Sequence, residues 1–432
     1  MVSSTLPATV GRDAARLTRR DWITLLVAFG IGTALYLWRV WDRIATPGIY
    51  AEDGNTFYIQ ADRDGLAAIF RPYAGYLHLT PRLAAALVSP FGLPAVPLAY
   101  TLITVAATLG GFAVVLSRRV DRFIPTVWGR GLAFVMLCLV PPMWESATSI
   151  AYLIFLGGVP LLLLGLSRSP ATLWGKIVEG VAVAVLGLSG PLIVFYSPVF
   201  AYRWLRHRTW ANAALGAVAA VTALVQIVVY TGYGRETVNF GFTIVPRTYL
   251  QRIVGELLAE PHSVLDAFET RTILRALSIL FLLVILVAAV IEVRWDAVVA
   301  LGLSGFAFAW AVRTYGIALL DPDNGDRHMM LPAAILLLTM VATLAHAVNR
   351  ADQAAGRQRW WHGGIAVVSG LALLATAGGI TAAFRIPQYV IVPTHEELVV
   401  FQECVDTGRV DCAPVHVAPL NFVIYPASSQ TG

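Results

Sequence analysis

Tyr50-Ala51-Glu52-Asp53-Gly54 sets two neighbouring carboxylates directly after the first long apolar run of the chain. Carboxylates at the mouth of a membrane helix are costly, which makes them candidates for a function. Beside a positioned hydroxyl and a good leaving group, such a carboxylate serves as a general base. The same letters also spell a solvated Asp-Gly turn between a helix and a loop, and the dipeptide alone does not separate the two.

The next stretch, Phe70-Arg71-Pro72-Tyr73-Ala74-Gly75-Tyr76-Leu77-His78-Leu79-Thr80-Pro81-Arg82, gathers candidate binding groups. Arg71 and Arg82 offer planar forks of donors suited to phosphate oxygens. Tyr73, Tyr76 and His78 present an apolar body with a polar tip, as residues at a membrane surface do. An ordinary aromatic belt with snorkelling arginines would read the same way. Its nearness to Glu52-Asp53 favours a site. Glu145, after Pro141-Pro142-Met143-Trp144, is a further candidate lining residue or a solvated loop glutamate.

Asp321-Pro322-Asp323-Asn324-Gly325-Asp326-Arg327-His328 is the densest polar cluster. Its aspartates resemble part of a calcium loop, but the glutamate such a loop requires is missing. A divalent cation is the lesser expectation, so no metal ligands are assigned and no cofactor is expected. Arg327 and His328 are the better candidates, as contacts to a phosphate or a sugar. Arg247 joins them as a cation beside a long loop. Gly187-Leu188-Ser189-Gly190-Pro191 reads as a structural turn rather than an anion site. No Walker A loop, nucleophile elbow or His-Glu-x-x-His motif occurs, and nothing points to a nucleotide donor.

The elements that must position these residues are membrane helices. The chain has 432 residues, 57% hydrophobic and 13% charged, with a mean hydropathy of +0.70. Soluble domains carry roughly 25% charged residues. The expected fold is therefore an all-α polytopic membrane bundle with interfacial helices in its outer loops. About eleven spans fit the length rule: 22–41, 94–117, 131–143, 148–166, 177–190, 191–203, 210–231, 272–291, 297–313, 329–348 and 363–383. Pro141-Pro142 and Gly190-Pro191 interrupt the middle ones. Residues 60–82 and Arg247 to Leu258 are the expected surface helices.

Arginine placement gives the orientation. Arg12, Arg16, Arg19 and Arg20 share one side with Arg118, Arg119, Arg122, Arg130, Arg168 and Lys176. The positive-inside rule makes that side cytoplasmic. Residues 1–21 are then a cytoplasmic segment, 22–383 the membrane domain, and 384–432 a short extracytoplasmic tail. Lys176 is the sole lysine, as a GC-rich bacterial genome would encode, so the expected location is a bacterial plasma membrane. The net charge of +5 is no sign of a nucleic-acid partner in such a protein. Cys138 reads as packing. An outside tail permits a Cys404–Cys412 disulfide, with two free thiols as the alternative.

An uncleaved first helix, an acidic motif in the first outer loop, a surface segment and a bundle of spans together resemble the GT-C superfamily of membrane glycosyltransferases. Glu52-Asp53-Gly54, Pro72-Tyr73-Ala74-Gly75-Tyr76 and Pro81-Arg82 are similar to uncharacterised bacterial members from surface-polysaccharide loci. The resemblance implies transfer of a sugar, with inversion, from a polyprenyl-phosphate carrier to a lipid or glycan acceptor. It implies a catalytic base in the first outer loop, with Asp53 the best-matching position and Glu52 beside it. Many members carry a large outer domain where this chain has only about fifty residues after its last span. The alternatives are a transporter or flippase for lipid-linked saccharides, and a scaffold. Glu179 and Gln226 are the few polar residues within the spans, and no internal repeat appears, which counts against transport.

Overall fold

A computed structural model describes residues 17–233, 242–270, 272–322, 324–407, 409, 411–419 and 422–425. The chain forms an all-α membrane bundle with one two-stranded hairpin near its end. The main helices are α1 (Arg19–Arg39), α2 (Leu79–Val88), α3 (Val96–Ala113), α4 (Val127–Cys138), α5 (Gly158–Leu166), α6 (Leu173–Gly187) and α7 (Leu192–His207). They continue as α8 (Trp210–Gly232), α9 (Thr272–Glu292), α10 (Trp295–Tyr315), α11 (Asp326–Gln353), α12 (Gly356–Ala375) and α13 (His395–Asp406).

Seven of the described helices are long and apolar enough to cross a membrane. They match the expected spans beginning at 22, 94, 210, 272, 297, 329 and 363. The four expected spans between 131 and 203 form shorter helices, because the proline breaks leave irregular backbone between them.

Burial sorts the helices into centre and rim. The apolar stretch of α11 is 83% buried, whereas that of α1 is 17% buried. α11 packs against α4, α9, α10 and α12, while α7 packs against α5 and α8. Thr339 and Thr343 of α11 donate to carbonyls one turn back, Ile335 O and Thr339 O, each at 2.7 Å. Their hydroxyls are thus satisfied inside the core. α1 starts with a capping box, in which Thr18 Oγ1 accepts from Asp21 N and Asp21 Oδ2 accepts from Thr18 N.

Side chains of the first helices hold the irregular backbone that follows α4. Arg39 donates to Val140 O at 2.6 Å, Pro141 O at 2.7 Å and Ala383 O at 3.1 Å. Arg43 donates to Trp144 O at 2.7 Å and Pro387 O at 2.8 Å, and Tyr36 donates to Ala147 O at 3.1 Å. These bonds supply partners that a helix would have supplied internally.

Residues 60–82 form short helices and a turn, with Leu66 and Phe70 exposed and Ala68, His78 and Arg82 buried. Arg247 to Leu258 departs from the expected surface helix. It is helical with a π-helical turn over Tyr249–Gly255, but Gln251 to Leu257 are buried. Arg252 pulls the segment inward. It pairs with Glu256 and with Asp326 at 2.8 Å, and donates to Leu319 O at 3.0 Å and Asn324 O at 2.9 Å.

On the face away from Glu52, Glu179 of α6 accepts from Arg203 Nη1 at 2.8 Å and Nη2 at 3.1 Å, and also from Arg119. Arg203 further donates to Leu164 O at 2.7 Å and to Asn212 Oδ1 at 2.9 Å. Both Glu179 and Arg203 are buried. Removing one side leaves buried cations unpaired, a loss of about 3–5 kcal/mol. Glu179→Ala should therefore lower the thermal unfolding midpoint in detergent clearly, with Glu179→Gln intermediate.

Candidate functional site

A cavity of about 270 Å³ opens between α7, α10, the start of α11 and the loops at residues 50–58, 71–78 and 151–155. Its polar lining includes Glu52, Tyr73, Tyr76, His78, Arg327 and His328. Its apolar lining includes Phe155, Leu192, Phe195, Phe308, Trp310 and Pro332, with Phe155 set against His328. All six polar residues were legible as candidates in the sequence.

The two adjacent carboxylates divide. Glu52 lines the cavity; its Oε1 accepts from the Tyr73 hydroxyl at 3.1 Å, and its buried Oε2 has no hydrogen-bond partner. Asp53 is buried and is not a lining residue. Its Oδ1 accepts from Ala151 N at 2.8 Å and Ser149 Oγ at 3.1 Å. Burial pushes the Asp53 carboxyl up to about 8, against the lowering effect of these two bonds. Ala51, just before the pair, has φ +46°. A left-handed conformation costs an alanine ~1–2 kcal/mol and persists where the surroundings enforce it.

A tight turn presents the aromatic side. Tyr73 and Tyr76 exchange backbone hydrogen bonds at 2.9 and 3.0 Å, with Ala74 at φ +49° and Gly75 at φ +86° between them. Two central residues with positive φ make a turn that closes two antiparallel strands. A side chain on Gly75 would also crowd Tyr230, 3.2 Å from its Cβ position. Tyr76 stacks on that Tyr230 at 5.3 Å. Gln226 fixes the exit of the turn, accepting from Leu77 N at 3.0 Å while donating to Leu77 O at 3.2 Å and Gly187 O at 3.1 Å. Ser189 Oγ accepts from Thr80 N at 2.9 Å, so the Gly187–Pro191 turn is a brace for α2.

His78 Nδ1 lies 3.1 Å from Tyr76 O. A carbonyl only accepts, so Nδ1 carries the proton and Nε2 is left as an acceptor. Burial lowers His78 to about 4 and keeps it neutral. Arg327 Nη1 donates to Glu145 Oε1 at 2.6 Å and its backbone N–H to Glu145 Oε2 at 3.0 Å, while its guanidinium lies 5.3 Å from the Tyr152 ring centre. Glu145 is thus the counter-ion behind Arg327 and does not line this cavity. His328 sits between the rings of Tyr315 and Phe155, at 4.6 and 5.0 Å, and its buried Nε2 has no hydrogen-bond partner.

Three expected contacts lie elsewhere. Arg71 pairs with Asp64 at 2.9 Å on the surface. Arg82 is buried behind Phe57, 4.9 Å from the ring centre, where burial lowers it to about 10. Arg247 is exposed on the short helix Val245–Thr248 and does not line the cavity. Residues missed by the sequence reading include Tyr152, Phe155, Trp310, Tyr315 and Ser149. Their signal was an aromatic or polar residue at the end of an apolar run, which is too common to single them out. Among the described residues, no group of three His, Cys, Asp or Glu side chains is arranged to hold a metal ion.

No protein-family model matches the chain, and no curated protein does. Among solved structures, ArnT from Cupriavidus metallidurans, determined with undecaprenyl phosphate bound, is similar with a TM-score of 0.41 and 13% identity. The match covers 85% of this chain and 77% of that one. A likeness at that level carries no functional weight.

The raised Asp53 carboxyl has a sign that can be tested. The folded protein holds this proton up to about pH 8, whereas the unfolded chain releases it in the ordinary carboxyl range. Stability contributed here therefore falls as pH rises between those limits. Wild type should lose thermal stability relative to Asp53→Asn between about pH 5 and pH 8, measured as melting midpoints of the two proteins in one detergent.

Proposed function

We propose that the chain is a GT-C-type glycosyltransferase that moves a sugar from a polyprenyl-phosphate carrier to a lipid or glycan acceptor. The observation that carries this reading is the mixed lining of the cavity, where a carboxylate, an arginine and two histidines share walls with apolar side chains of α7 and α10. A polyprenyl-phosphate sugar likewise joins a charged polar part to an apolar chain. A purely aqueous substrate would leave the apolar walls unused, and a simple hydrocarbon would leave the buried Glu52 Oε2 and His328 Nε2 without a partner.

In this reading the Glu52 Oε2 takes the proton of the acceptor hydroxyl. The freed oxygen attacks the anomeric carbon from the side opposite the phosphate, so the configuration inverts. The carbon–oxygen bond to phosphate breaks and its electron pair leaves with the phosphate. Arg327 meets the charge that develops there. The Tyr73 hydroxyl orients Glu52, and Glu145 orients Arg327 in turn. Asp53, bonded to Ser149 and Ala151, holds the loop rather than taking the proton. The arginine distribution supports a site on the extracytoplasmic face, with the N-terminus inside and the segment after residue 383 outside, and the proposed location is a bacterial plasma membrane.

Purified wild type, Glu52→Gln and Asp53→Asn, incubated with a panel of polyprenyl-phosphate sugars and a host lipid extract, test this assignment. Wild type should form a new glycolipid. Glu52→Gln should lose about 10²–10⁴-fold in rate, and Asp53→Asn no more than about tenfold. Equal rates for wild type and Glu52→Gln would remove Glu52 as the base. Lipid movement across vesicles without a new glycosidic bond would replace the enzyme by a flippase.

A further inference from the structure

Resting on that reading, we infer that the segment after the last membrane helix is a clamp for the acid loop, with Ala418, Ile424 and Gln402 as positioning residues that set the aim of Glu52. The segment lines no part of the cavity, so it acts on the chemistry through the loop or not at all.

Three separate contacts converge on residues 50–58. Ala418 O accepts from Ala51 N at 2.5 Å, and Tyr50 pairs with Ala418 in a parallel bridge. This bond lands on Ala51, the left-handed residue directly before Glu52. Ile424 ends a hairpin in which Val415–Val417 pairs with Phe422–Ile424. It is fully buried, and its Cδ1 lies 2.6 Å from where a Cβ on Gly54 would stand. Only a glycine lets the hairpin press this closely on the loop. Gln402 Oε1 accepts from the Tyr58 hydroxyl at 2.8 Å and from Leu93 N at 2.9 Å. That fixes the far end of the π-helical turn Asp53–Tyr58.

The Cys404–Cys412 disulfide makes these contacts one unit. It joins α13, which carries Gln402, to the stretch leading into the hairpin. Tyr389, at the entrance of the same segment, stacks on Tyr50 at 5.0 Å and shares a 2.8 Å hydrogen bond with Thr148. The bundle grips Asp53 through Ser149 and Ala151, and the segment grips the residues on either side. Between the two grips Glu52 has one orientation.

The test is a comparison of Ile424→Ala and Cys404→Ser/Cys412→Ser with wild type, each with and without Ala51→Gly. Glycine adopts a positive φ without the alanine penalty, so it should keep the loop in place when the clamp is weakened. Ile424→Ala should lower kcat about tenfold, the factor to which the left-handed penalty converts. KM for the polyprenyl-phosphate sugar should stay within about twofold, and amide hydrogen exchange across residues 51–58 should quicken. Ala51→Gly in the same background should recover most of both. Unchanged kcat and unchanged exchange in both weakened proteins would overturn the clamp. So would a loss that Ala51→Gly fails to recover, since general destabilisation does not depend on φ at one residue. If wild type transfers no sugar, the exchange measurement decides alone: quickened exchange with recovery keeps the clamp and removes only the proposed chemistry.

Discussion

The structure depends on giving partners to backbone that is not helical inside a membrane protein. Residues 139–152 break the bundle, and no lipid can hydrogen-bond the carbonyls they release. Arg39, Arg43 and Tyr36 provide the missing donors from the first helices. A guanidinium suits this task because its five N–H groups in a fixed fork serve several carbonyls at once. Everything on the opposite side of that loop follows from its being held. Ser149 and Ala151 receive Asp53, Tyr152 faces Arg327, and Glu145 fixes the Arg327 fork.

The candidate site uses charge sparingly. Its carboxylate, Glu52, and its cation, Arg327, lie far apart in the sequence, and each is steadied by one neighbour. Tyr73 steadies Glu52 without neutralising it, and Glu145 steadies Arg327 from behind, leaving the Tyr152 side of the guanidinium toward the cavity. His78 stays neutral through burial, so it adds hydrogen-bonding capacity without adding charge. A ligand that carries its own negative charge meets an Arg327 already held in place by Glu145.

Much of this was legible in the residues. Long apolar runs located the seven long helices. The grouping of Glu52, Tyr73, Tyr76 and His78 followed from short sequence distance. What the letters could not decide was direction. At the start of the π-helical turn Glu52 and Asp53 diverge, and no periodicity of 3.6 or 2 assigns which faces inward. Arg82 sat in a motif that looked like phosphate binding, yet its place on α2 tucks it behind Phe57. The 247–258 segment had the mixed pattern of a surface helix, and one long-range ion pair from Arg252 to Asp326 draws it inside. Each of these turns on a partner distant in sequence, which a local pattern cannot contain.

The parallel bridge between Tyr50 and Ala418 joins the loop after the first helix to a segment that follows the seven long helices in the chain. During synthesis the acid loop therefore emerges long before its mate exists. The early helices insert with their carboxylates in place but without the neighbour that fixes them. The site therefore becomes whole only when the segment after the last membrane helix reaches the loop that carries Glu52.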